Sequence, residues 1–241
     1  MRTDRKMVYF NSPYYPYEKV NTGFNTLKGA EEIPHKIISY LLDLPDKNGY
    51  EPVDDNDRPR VRLIKYLWYD ESNPLSKPLP TPEQKLSLLY DGKSAMLATE
   101  EERRLHPKGY RIMGQSYTEP AEVDAKVLLK CYMGRMIARN DYKTILGLKF
   151  DVVTNYALDN ITRTNVYSRS YGIVQCIIEA LHGVNIAGIG TVFFNKTIHG
   201  DSGMTTFHNE GMDIYDQLFM AIEWQETTSP ETVEAFNYYN F

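Results

Sequence analysis

The sequence predicts an α+β domain: a mainly antiparallel, twisted sheet with an N-terminal helix and a central helix packed on one face, plus an extended insertion. Three observations within 145–225 carry this. Leu146, Leu148, Phe150 and Val152 alternate with Gly147, Lys149, Asp151 and Val153, the period of two that marks a half-buried strand. Over about 167–182 the period lengthens. Ile173, Ile177 and Leu181 share one helical face, Val174 and Ile178 lie beside them, and Gln175 and Glu179 point away. Gly183 stands where a left-handed C-terminal cap is expected. The segments 186–195 and 215–225 then return to β-branched and aromatic residues, which suit strands.

Upstream of that segment, 1–28 reads as an extended arm and 29–241 as a single domain carrying a Pro-rich, mixed insertion at about 70–123. Pro13 and Pro16 bracket Tyr14 and Tyr15, with Tyr17 following. Closely spaced prolines prevent a regular helix and favour a polyproline-like path. Such an arm is either a loose terminus or a strap across a neighbouring chain with its tyrosines as anchors. Over 29–44, Ile33, Ile37 and Leu41 form an apolar stripe widened by Ile38 and Leu42. Pro34 is tolerated only near the first turn, which places the start of the helix at about Glu32.

Alternation over 60–69 predicts a strand with both faces covered: Val61, Leu63, Lys65, Leu67 and Tyr69 on one side, Arg62, Ile64, Tyr66 and Trp68 on the other. Pro74, Pro78, Pro80 and Pro82 predict an extended stretch, and Thr81-Pro82-Glu83 reads as a helix start. Charged residues 100–104 suit a short exposed helix ended by Pro107 and Gly109. The spacing at 124–138 fits a strand, or a helix through Ala125, Leu128, Leu129, Tyr132 and Met136. The turn residues Arg139-Asn140-Asp141 favour a strand paired with 144–155 as a long antiparallel hairpin.

Composition narrows the function classes. With 42% apolar residues among 241, the chain can bury a sizeable core. A net charge of −5 and a pI near 5.6 argue against a general nucleic-acid binder, since phosphate contacts need a basic face. Cys131 and Cys176 sit in apolar surroundings and read as buried free thiols in a reducing compartment. No apolar run reaches the ~18 residues of a membrane span, and charged Met1 to Phe10 lacks a following apolar region, so neither a membrane span nor a signal peptide is expected. Tyrosine is over-used, with 19 Tyr against 9 Phe, which suits a protein rich in interfaces.

No motif predicts chemistry. Asp54, Asp55, Asn56 and Asp57 resemble part of a calcium loop, but Arg58 takes a ligand position and Pro59 that of the glycine. Asp91-Gly92-Lys93-Ser94 lacks the first glycine of a phosphate-binding loop, its place held by Ser87. Gly188-Ile189-Gly190 lacks the third glycine of a dinucleotide fingerprint. The stretch 197–211 holds His199, Asp201, Ser202, His208 and Glu210. Gly200-Asp201-Ser202-Gly203 echoes the nucleophile of trypsin-like proteases, yet Met204 departs from that pattern, the Cys pairing of that family is absent, and of the upstream histidines His35 and His106 the first reads as part of a helix. The His and acid spacing fits no common metal module. A long polar loop that orders against a partner or lines a pore explains these residues without a ligand. Tyr14, Tyr15, Tyr17, His199, Asp201, His208 and Glu210 are therefore candidate interface or lumen residues, with no catalytic, metal or cofactor site expected.

The order strand, helix, strand, strand resembles the shared module of phage tail terminator and tail-completion proteins. Three passages carry the resemblance: LGLKFDVVTN, YSRSYGIVQCIIEALHGVNIAGIG and DQLFMAIEW. A helix like 29–44 followed by a strand like 60–69 belongs to the same picture. The resemblance covers about half the chain, and the 70–123 insertion and Pro-Tyr arm depart from its small members. It implies a structural virion protein, assembled in the host cytoplasm, that forms a ring expected to hold six copies. Such a ring would cap the tail tube at the head–tail junction and join it to the connector, as terminator, stopper or another neck component. Its partners would be tail tube or sheath proteins and the connector or stopper, with DNA passing through without specific binding and no membrane contact. By hypothesis, acidity suits a conduit that must not hold phosphates; acidic-to-basic lumen changes that left DNA delivery unchanged would count against this. Rival classes are a soluble hydrolase using 197–211 and an adaptor that binds a peptide along a strand edge.

Overall fold

The computed structural model describes residues 7–8, 19–20, 30–90, 99–115, 127–138, 143–155, 158, 168–186, 190–194, 203–208 and 213–225. Near the N-terminus, β1 (Met7–Val8) and β2 (Lys19–Val20) pair antiparallel as a separate two-stranded sheet. A 3-10 turn at Ala30–Glu32 leads into α1 (Ile33–Leu41). Pro34 lies in its first turn, where the missing N–H would have had no partner anyway. The expected stripe of Ile33, Ile37, Ile38 and Leu41 is buried. Asp43 follows at φ 50, a left-handed conformation unusual for a residue with a side chain.

Residues 59–68 overturn one expectation. They form α2 (Pro59–Trp68), not a strand, so that part of the resemblance does not hold. Pro59 occupies the first helical turn after an extended Arg58. Leu63 and Leu67, Ile64 and Trp68, and Val61 and Lys65 are pairs four apart, and all six are buried. A short helix sunk on most of its sides shows apolar residues at nearly every spacing. A period of two can then be read from a segment whose geometry is helical.

The insertion holds a 3-10 turn at Pro74–Ser76, α3 (Pro82–Leu86) and α4 (Glu100–Leu105). Both helices start with capping boxes, Thr81 with Gln84 and Thr99 with Glu102, so side chains satisfy N–H groups that the first turn leaves unpaired. The insertion joins the sheet through β3 (Ile112–Met113), which pairs parallel with Leu129 and Lys130.

The predicted hairpin is present as β4 (Val127–Ala138) and β5 (Lys143–Asn155). Met133 faces Leu148 and Met136 faces Leu146, so three steps on β4 oppose two on β5: a bulge. The final strand, β9 (Asp213–Gln225), pairs antiparallel along the whole of β5, from Lys143 opposite Gln225 to Asn155 opposite Asp213. The predicted central helix is α5 (Arg169–Leu181), capped by the Ser168 hydroxyl, which accepts from the Tyr171 N–H. Gly183 beyond it has φ 74, as its position predicted.

Two further expectations need correction. Segment 186–195 is not one strand. Its strand residues belong to β6 (Asn185–Ile186) and β7 (Gly190–Phe193), which pair antiparallel with Asn185 opposite Thr191. Gly190 has φ 106, a conformation that glycine adopts without strain. Nor is 197–211 a continuous loop, because β8 (Gly203–His208) pairs antiparallel with β9, from Gly203 opposite Phe219 to His208 opposite Ile214.

The sheet runs β3-β4-β5-β9-β7-β6, with β8 also on β9. Val127, Leu129 and Cys131 of β4, Leu146, Leu148, Phe150 and Val152 of β5, and Leu218, Met220 and Ile222 of β9 share one core with α1, α2 and α5. The helices thus cover one face. Completely burying a side chain such as Phe150 or Leu148 contributes roughly 1.5–3 kcal/mol. The opposite face carries a smaller cluster of Tyr110, Met113 and Leu128, with Tyr90 and Val153 against it.

Candidate interaction surface

Tyr14, Tyr15, Tyr17, His199, Asp201 and Glu210 lie outside the described residues, as does the Asp91–Ser94 stretch. His208 ends β8 opposite Ile214, and its side chain also lies outside the described part. The structure reveals polar clusters that the sequence did not single out.

The first cluster joins the end of α1 to α2 and α3. Arg60 Nη1 lies 2.9 Å from Oδ1 of the buried Asp43, which also accepts from the Tyr50 hydroxyl at 2.7 Å. Arg58 donates to Tyr50 at 3.1 Å, and Arg60 stacks 4.6 Å from the Tyr40 ring centre. Lys85, also buried, donates to the Asp43 carbonyl at 2.7 Å. Burial pushes the Lys85 ammonium below its ordinary pKa against the pull of the Asp43 carboxylate. Burial, then Asp43, raises the Tyr50 phenol. A carboxylate, a phenol and an amine in one place are an acid–base set in composition. Here they hold the 43–60 connection. The apolar gap between α1, α2 and β4, lined in part by Ile38, Leu42, Leu67 and Leu129, has no room for a water molecule.

The second cluster ties 70 to 108–111. Asp70 Oδ2 accepts from Arg111 Nη2 at 3.0 Å and from Lys108 at 3.2 Å. Burial alone would raise the Asp70 carboxyl, but the hydrogen bond and charge of Arg111, with Lys108, hold it below the ordinary carboxylate value. A third anchor is Arg169, buried at the start of α5, whose guanidinium donates to the carbonyls of Tyr66, Tyr69 and Glu71. Between α2 and α5, Cys176 is a buried free thiol, pushed up to about 12 by burial. Burial pushes the Cys131 thiol up as well. These groups are placed for architecture. Among the described residues no group of three or more His, Cys, Asp or Glu side chains could hold a metal ion, and no helix is long and apolar enough to cross a membrane.

Among the described residues, the sheet's rim offers a further surface. Pairing of β4 with β3 stops at Lys130, and among the described strands none lies beside the outer edge of β4 from Met133 to Ala138. The bulge falls in this stretch. Gly134 accommodates the Lys149 stem, since a Cβ there would lie 2.9 Å from Lys149 Cγ. Met136 is 46% exposed. At the far side of the sheet, β8 runs antiparallel to β4, because β4 opposes β5, β5 opposes β9 and β9 opposes β8. The free stretch of β4 and the strand β8 thus run in opposite directions, as a continuing antiparallel sheet between head-to-tail copies requires, whereas the terminal strand β6 runs the same way as β4. Met136 gave a sequence signal only in retrospect, as a large apolar residue beside Gly134-Arg135.

A family model matches residues 61–219, from α2 into β9, and its description is YomW. The chain belongs to the YomW family. This family is phage-associated. No curated protein matches the chain. The YomW match takes in nearly all of α2, the insertion, the β4–β5 hairpin, α5, β8 and the first half of β9, and leaves α1 outside it.

Proposed function

We propose that this YomW-family chain is a structural subunit of a phage particle. In this reading identical copies, expected to be six, close into a ring at the head–tail junction. The ring caps the tail tube and joins it to the connector, as tail terminator or a neighbouring neck component. Tail tube or sheath proteins and the connector or stopper are its neighbours. DNA passes without specific binding, and the chain carries out no reaction and needs no cofactor. Assembly takes place in the host cytoplasm and the product resides in the virion.

The observation that carries the reading is the succession β5, α5, β7, β9, with the short β6 and β8 added between them, on one sheet with the helix on a single face. It contains the strand–helix–strand–strand order of the resemblance with β6 and β8 in addition, within a phage-associated family. The opposite directions of β4 and β8 support a heterologous contact between these two strands of neighbouring copies, which closes a ring when the rotation per copy divides a full turn.

Light scattering after size exclusion, with negative-stain imaging, tests this. The expected result is a closed ring near six times the 27.9 kDa chain mass, and gold-labelled antibody marking the neck of the particle. A monomer at all concentrations, with no label on the particle, overturns it. A peptide-binding adaptor using the same β4 edge is the second reading, and it would be monomeric or dimeric in the same experiment.

A further inference from the structure

We draw no further inference here: the strongest candidate, the outer edge of β4 from Met133 to Ala138 with its exposed Met136, belongs to the surface already described, and nothing in the structure shows what covers it.

Discussion

The guanidinium of Arg169, at the first turn of α5, donates to the main-chain carbonyl of Tyr69, the residue that caps the end of α2. A helix end leaves its last carbonyls without partners, and here a side chain 100 residues away supplies them. Charge-assisted hydrogen bonds are each worth about 1.5–3 kcal/mol. Arg169→Met is therefore expected to lower stability by roughly 3 kcal/mol or more, read as a shifted urea midpoint. Arg169→Lys should recover little, since one ammonium lacks the planar fork that reaches several carbonyls. Full recovery by lysine would show that charge alone matters.

Asp43 joins a left-handed backbone to a buried carboxylate paired with the partly exposed Arg60. Asp43→Gly removes the backbone strain but also the contacts to Arg60 and Tyr50. Asp43→Ala loses those contacts and keeps the strain, which is about 1 kcal/mol for a residue with a Cβ. Alanine should therefore be less stable than glycine by roughly that amount, with both well below wild type. Equal midpoints for the two variants would contradict a strained Asp43.

Asp70 gives the fold a defined response to acid. Its folded pKa lies below its ordinary 3.8, so near that pH the unfolded chain binds more protons than the folded one. The contribution is present above the ordinary carboxylate range and disappears as pH falls through the folded value. Wild type should lose stability more steeply than Asp70→Asn as pH is lowered from about 5. Parallel urea midpoints for the two proteins across that range would refute the assignment.

Both cysteines should resist modification in the folded protein, because the thiolate is the reactive form and burial suppresses it. Ellman's reagent is expected to find no fast-reacting thiol in native protein and two after denaturation. A rapid native reaction confined to Cys176 would mean that the α2–α5 seam opens.

Replacing His199, Asp201 and His208 together by alanine separates the structural proposal from a hydrolase. A ring protein whose 197–211 region makes contacts should assemble or deliver DNA poorly. Normal assembly combined with loss of a hydrolytic activity would instead favour the enzyme.

Much of the fold was legible because long elements repeat their signal. The alternation from Leu146 to Val152 and the helical stripe Ile173, Ile177 and Leu181 each persist long enough to exclude the other geometry. Segment 59–68 failed for the opposite reason: burial around most of α2 erased the contrast between faces. In β8, Thr205, Thr206 and Phe207 are good strand formers, but the turn-rich Gly200-Asp201-Ser202-Gly203 before them made the whole stretch read as loop. The buried polar groups were hidden in a different way. Lys85 meets Asp43 across 42 residues and Arg169 meets Tyr69 across 100, and no local pattern encodes such a partner. The candidate site was the least legible part, because a sheet edge is defined by which strands lie elsewhere, not by its own residues.

The complete pairing of β9 along β5 also sets an order of events during synthesis. Asn155 waits for Asp213, and Lys143 waits for Gln225, so the central strand keeps one edge bare while the ribosome adds everything between. Non-local pairing of this kind folds slowly and exposes strands that invite misassociation. Chains arrested before Asp213 are expected to be protease-sensitive and to bind chaperones, whereas chains released beyond Gln225 become resistant. Early resistance in the arrested chains would mean that the hairpin stands without its third strand.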